Sequence, residues 1–223
     1  MEDNLNTYEE TAVLNNNMVL RTFFRMFLGL LATSLVAYYS YTSELLFKVD
    51  FRVIGIIEIA VVLLFSFLFR KLPSAVVTGL FFIYAVINGV TMGIIFAAFD
   101  IGTIGIAFFA TAALFGGLAL YGYVTKKDMT KVGTICMVAL IVGLIVSVIN
   151  LFIGNSMVDI ALDWIILAIF VGLTIYDMWR MKRTFEFSDV DREKLYVYFA
   201  MELYLDFINI FLRILSIMGR RRN

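Results

Sequence analysis

After a polar start the chain falls into seven long apolar runs, at about 23–41, 53–69, 74–99, 101–124, 132–153, 160–179 and 195–218. Most approach the roughly 20 residues that a helix needs to cross hydrocarbon. The second run is short, and the sixth carries Asp163 near its start. The connections are brief and none resembles an interdomain linker. The pattern predicts an all-α membrane protein with seven transmembrane helices in one domain, 23–218, between a polar arm, 1–22, and a short basic tail, 219–223. The arm begins MEDNLNTYEETAVLNNNMVL, acidic where a signal peptide is basic and then apolar, so it reads as a solvated segment and not a cleaved leader.

Composition agrees with that pattern: 62% of the 223 residues are hydrophobic, well above the roughly 45–50% of soluble domains. Zero net charge, with no long basic tract, gives a nucleic-acid partner little electrostatic support. The chain has no histidine and one cysteine, Cys136, which makes a zinc site or an intrachain disulfide framework untenable; Cys136 reads as a small apolar side chain. No cofactor is expected.

Lys and Arg set the expected orientation, because short cytoplasmic loops carry the positive excess. Counting alternate sides, Arg21, Arg25, Arg70, Lys71, Lys126, Lys127, Lys131, Arg180, Lys182, Arg183, Arg192 and Lys194 fall together, against Lys48 and Arg52 opposite. This predicts a cytoplasmic N-terminus; Arg220, Arg221 and Arg222, after a seventh crossing, run against the rule. Gly89 with Gly93, Ala112 with Gly116 and Ala113 with Gly117, each four residues apart, predict close helix contacts in the third and fourth runs.

The polar groups inside apolar runs carry the functional signal. A charge at mid-bilayer costs about 2.5–3.5 kcal/mol on insertion scales, so each needs a partner, a proton or water. Glu202, Asp206, Asn209 and Arg213 are spaced by four, three and four, which sets them on one face of the last helix, and that face is expected to look into the bundle. Asp177, in GLTIYDMWRMK, precedes a basic cluster and could either neutralise Arg180 or Arg183 or approach Asp206. Two carboxyls in hydrogen-bond reach cannot both ionise cheaply, so they would share a proton and act as a proton-operated switch. Glu58 and Arg213 sit at matched depth in the second and seventh runs and predict an ion pair that closes the bundle. Arg70, at the cytoplasmic end of the second run, either balances the aspartates or snorkels from its loop.

TAALFGGLALYGYVTKKDMTKVG (111–133), IYD (175–177) and LYLDFINIF (203–211), in that order, resemble the Bax inhibitor-1 family of membrane proteins in its bacterial branch. The resemblance implies a central seventh helix wrapped by the other six, residence in the bacterial plasma membrane, and a pH-sensitive calcium leak. It makes Asp177 and Asp206 a di-aspartyl pH sensor and Glu58 the acid of a latch with a seventh-helix arginine. The sequence departs at the latch: the family's bacterial arginine falls where this chain has Ser216, so Arg213 would have to substitute. Glu202 adds a carboxylate one turn from Asp206 as a further ion ligand.

Calcium takes six to eight oxygen ligands. Asp177 and Asp206, the candidate calcium contacts, with Glu202 and Asn209 nearby, cannot complete that shell, which fits a low-affinity path for a transported ion. The expected partners are therefore calcium ions, protons and the lipid bilayer. Two alternatives use the same residues: a proton-coupled cation exchanger, and a non-conducting regulator that binds other membrane proteins. An intramembrane aspartyl protease is excluded, because Asp206 follows LYL and not the Gly-x-Gly of that signature. The expected protein is not an enzyme.

Overall fold

The computed structural model describes the backbone of residues 2–45 and 48–220 and the side chains of residues 17–45, 48–50 and 53–219. The side chains of Arg52 and Arg220, and all of Arg221 and Arg222, lie outside the described residues. The elements are α1 (Glu2–Thr42), α2 (Phe51–Leu68), α3 (Ser74–Ala98), α4 (Ile101–Val124), α5 (Thr130–Ile153), α6 (Ser156–Phe187) and α7 (Arg192–Arg220). They coincide with the seven apolar runs except at two ends. The polar arm is helical from Glu2 and continuous with the first run, and α6 continues eight residues beyond its apolar stretch, through Arg180, Lys182 and Arg183.

Local chemistry explains the breaks between helices. Phe99 and Asp100 separate two apolar helices, and Asp100 caps α4, accepting from the Thr103 N–H at 2.9 Å and the Thr103 hydroxyl at 2.6 Å. Gly154, at φ 70°, closes α5 in the left-handed conformation that glycine adopts without penalty. Asn150 Nδ2 then donates to the Asn155 carbonyl at 3.0 Å and to Asp159 at 2.6 Å, which pins the turn into α6. Pro73 precedes α3 and leaves no amide to satisfy at its start.

Among the described residues six helices are long and apolar enough to cross a membrane: Asn17–Thr42 of α1, and α3 to α7. The apolar part of α2, Val53–Leu68, is shorter; its 16 residues rise about 24 Å, less than the roughly 30 Å of a hydrocarbon core. In α5 only 11% of the most apolar window is buried, whereas in α7 the share is 72%. Thus α5 presents most of its side chains to the surroundings, and α7 buries most of its own.

The described chain divides into two compact units, Met1–Ala98 with Thr184–Tyr204, and Phe99–Arg183 with Leu205–Asn223. In the first, α3 packs on α1 and α2. Close approach to α1 rests on the expected glycines: a Cβ on Gly89 would lie 2.8 Å from the Thr33 carbonyl oxygen, and one on Gly93 2.9 Å from the Ser40 hydroxyl. The α7 segment of this unit stacks Tyr198 on Phe69, with ring centroids 4.3 Å apart, and sets Tyr204 edge-on to Phe81 and Tyr84. At its start Glu193 pairs with Arg21 and Arg25, whose guanidinium groups also lie over the Tyr196 ring.

In the second unit Phe207 of α7 packs on Phe108 and Phe115 of α4, each with ring centroids 5.5 Å apart. Gly122 of α4 abuts the Ile175 carbonyl and Met178, Gly133 of α5 faces the Tyr176 ring, and Gly172 of α6 meets half-buried Cys136, which serves as a small packing group. The close contacts predicted at Gly116 and Gly117 are not made. Both glycines are exposed, and a Cβ on either meets nothing within 4 Å among the described residues, because that face of α4 points away from them.

Candidate functional site

Asp177 and Asp206 belong to the second unit, one on α6 and one on α7, and are 5% and 3% exposed. The helical extension of α6 places Asp177 well inside its helix. Asp177 is ten residues before the end of α6 at Phe187, and Asp206 is fourteen residues after the start of α7 at Arg192. The apolar runs alone put Asp177 close to the end of its helix. The turn around Asp177 is held from two sides, by Gly122 against the Ile175 carbonyl and by Gly133 against Tyr176. Arg180, one turn on, sets Nη2 3.3 Å from Asp177 Oδ1 and lies over the Tyr176 ring at 5.3 Å. A base therefore accompanies the acid from its own helix, as one of the two sequence readings of Asp177 anticipated.

The other predicted residues take varied places. Asn209, half-buried, turns its Nδ2 back to the Leu205 carbonyl at 2.8 Å, which spends that donor on its own helix. Glu202 is half-buried in the α7 segment of the first unit. Arg70 is exposed; its guanidinium lies over the Phe69 ring at 5.8 Å, and its carbonyl accepts from Lys194 Nζ at 3.4 Å. Arg213 donates from Nη1 to Asp163 Oδ1 at 2.8 Å. Ser216, at the position of the family's latch arginine, donates to Asp163 Oδ2 at 2.6 Å. Asp163 itself is 3% exposed.

Glu58 is the acceptor end of a polar chain through the first unit. Its Oε1 accepts from Thr91 Oγ1 at 2.8 Å and from Asn88 Nδ2 at 3.3 Å. Asn88 Oδ1 accepts from the Tyr204 hydroxyl at 3.0 Å, and that hydroxyl lies 2.6 Å from Thr33 Oγ1. Four helices thus contribute to one hydrogen-bonded line: α1, α7, α3 and α2.

Sequence reasoning missed Asp163, Asn88, Thr91, Tyr204 and Thr33 as partners. For Asp163 a signal existed: it is an acid inside an apolar run, at a depth from the run's end comparable with that of Arg213. For the others none did, since single hydroxyls and one amide among apolar residues are inexpensive anywhere in a helix. Among the described residues no three His, Cys, Asp or Glu side chains gather as a metal site would require.

Seven helices, most of them long and apolar enough to cross a bilayer, with acids buried inside those spans, define a multi-pass integral membrane protein. Residues 15–223 match the family described as inhibitor of apoptosis-promoting Bax1, and the chain belongs to that family, in its bacterial branch. It is similar to the inner membrane protein YbhL of Escherichia coli K12, with 37% identity over 207 residues and 88% of each chain covered. An uncharacterized protein of Borreliella burgdorferi is 30% identical over 224 residues, covering 96% of this chain and 97% of the relative. An uncharacterized membrane protein of Streptococcus pyogenes serotype M3 is 37% identical over 167 residues, covering 74% and 72%.

Proposed function

We propose that this protein is a pH-sensitive calcium leak of the bacterial inner membrane, gated by the protonation state of Asp177 and Asp206. The observation that carries the reading is the burial of both carboxyls, on successive helices of one unit, within apolar spans. In such surroundings an ionised carboxylate is costly, and two that come within reach of each other hold one shared proton more cheaply than two charges. Losing that proton leaves oxygen ligands of the kind a hard cation prefers. Glu202 and the Asn209 carbonyl oxygen extend the path along α7, as transient contacts for an ion in transit. Arg180, beside Asp177, balances the carboxylate while the path is closed.

In this reading all seven helices cross the bilayer and α7 is the central one. Its segment in the first unit touches α1, α2 and α3, and its segment in the second touches α4 and α6. The short α2 crosses where the bilayer thins around it, with Arg70 and Lys71 reaching back to the headgroups. The basic loops then lie in the cytoplasm together with the N-terminus. Glu58, Arg70 and Arg213 serve closure, Glu58 through Thr91 and Asn88, and Arg213 through Asp163.

The test is calcium entry into proteoliposomes at acid and neutral pH for the wild type, Asp177→Asn and Asp206→Asn. The wild type should leak with a pH dependence that both variants lose. Identical flux in all three, or none in any, defeats the proposal. Flux that appears only with an imposed proton gradient assigns the same acids to an exchanger.

A further inference from the structure

The Asp163 cluster lies outside the proposed proton switch and has its own geometry. Asp163 stands seven residues after the start of α6, and Arg213 seven residues before the end of α7. Each carboxylate oxygen has its own α7 donor, Oδ1 taking Arg213 and Oδ2 taking Ser216, and the two donors are three residues apart on one helix face. A carboxylate held in this way fixes axial position. A slide of α7 along α6 by one turn, about 5.4 Å, withdraws both of these donors from a carboxylate that is 3% exposed inside an apolar span, where lost charge compensation is costly. Smaller slides lengthen both bonds together.

Asp163 is fourteen residues from Asp177 on α6, about 21 Å of rise, and Arg213 is seven residues from Asp206 on α7, about 10 Å. The cluster thus ties together the two helices that carry the aspartates, at a level apart from both. We propose that Asp163 is a positioning residue that pins the axial register of α7 against α6, and that this pin must release before the leak opens. The second clause rests on the leak reading above; the first does not.

The test uses the full chain in lipid nanodiscs and in proteoliposomes, as wild type, Asp163→Asn, Arg213→Gln, the double variant, and a charge reversal combining Asp163→Arg with Arg213→Asp. Amide hydrogen exchange across residues 207–219 reads the pin, and calcium leak at neutral pH reads its consequence. Each single variant should speed exchange and raise the leak about tenfold, as a loss of about 1.4 kcal/mol of closed-state preference would give. The double variant should do no more than either single, and the charge reversal should restore both readings toward wild type, which a general loss of packing would not allow.

Unchanged exchange in the single variants, or additive effects in the double, overturns the pin. Faster exchange with unchanged leak in a conducting wild type overturns the link to opening. A wild type that conducts no calcium defeats the leak reading and with it that link, while exchange still decides the pin. Should Asp163→Asn fail to fold, Ser216→Ala removes one donor and no charge, and unaltered exchange in it overturns the pin.

Discussion

Tyr204→Phe removes one oxygen from the centre of the hydrogen-bonded line that joins four helices. The Tyr204 side chain has no exposed surface, and phenylalanine keeps its volume and its edge-on contacts with Phe81 and Tyr84. What is lost is the donor to Asn88 Oδ1 at 3.0 Å and the 2.6 Å contact with Thr33 Oγ1. Thr33 retains an acceptor, the Ala85 carbonyl at 2.9 Å, so the cost concentrates on Asn88, which is 5% exposed. An unsatisfied buried acceptor costs about 1–3 kcal/mol in soluble proteins, and side-chain hydrogen bonds within membranes average about 0.6 kcal/mol. The expected destabilisation is therefore about 1–2 kcal/mol.

The assay is reversible unfolding in mixed detergent followed by helical circular dichroism, on the wild type, Tyr204→Phe, Asn88→Leu and the pair. Because the two residues share a bond, the double variant should be less destabilised than the sum of the singles, by roughly 0.5 kcal/mol or more. A Tyr204→Phe protein as stable as the wild type, or strictly additive variants, would refute the claim that the line is a structural element.

Gly89→Ala should cost about 1–3 kcal/mol by forcing α1 from α3, where the new methyl meets the Thr33 carbonyl at 2.8 Å. Gly116→Ala, on the open face of α4, should be neutral or stabilising by up to about 1 kcal/mol through helix propensity; the same melts decide both. Glu193→Gln removes the exposed partner of Arg21 and Arg25 and should cost no more than about 1 kcal/mol, an effect that high salt erases. In the α4–α5 loop the Thr130 hydroxyl and then the Thr130 N–H, at 2.6 and 2.9 Å, hold the Asp128 carboxyl below its ordinary range. A depressed carboxyl stabilises the fold above the unfolded-state value, and that contribution is lost as pH falls through the folded-state value. Thr130→Ala should return Asp128 toward the ordinary range in carboxyl-carbon NMR titration, and an unmoved titration would refute the assignment.

The hydrophobic pattern by itself determined the class of protein, the number of helices and most of their ends, because bilayer thickness and helix rise leave little freedom once an apolar run is long enough. The break between α3 and α4 was legible to within a residue, since the polar Asp100 interrupts the apolar runs there. Where polarity and helicity part company the pattern was blind. The basic end of α6 and the polar arm before α1 read as segments outside the helices, yet both are helical, and the extension of α6 sets Asp177 ten residues inside the end of its helix.

Partners were the other thing that only the tertiary structure decided. Spacing put Glu202, Asp206, Asn209 and Arg213 on one face of α7, but it could not say that Asn209 would bond its own helix, that Arg213 would take Asp163, or that Glu58 would end a line of hydroxyls and one amide. Periodicity fixes the direction of a side chain about its own axis. The axial register of one helix against the next, which decides who meets whom, is set by close approaches such as Gly89 on Thr33 and Gly122 on Ile175, and a run of small residues looks the same in sequence whether it is used, as there, or left open, as at Gly116 and Gly117.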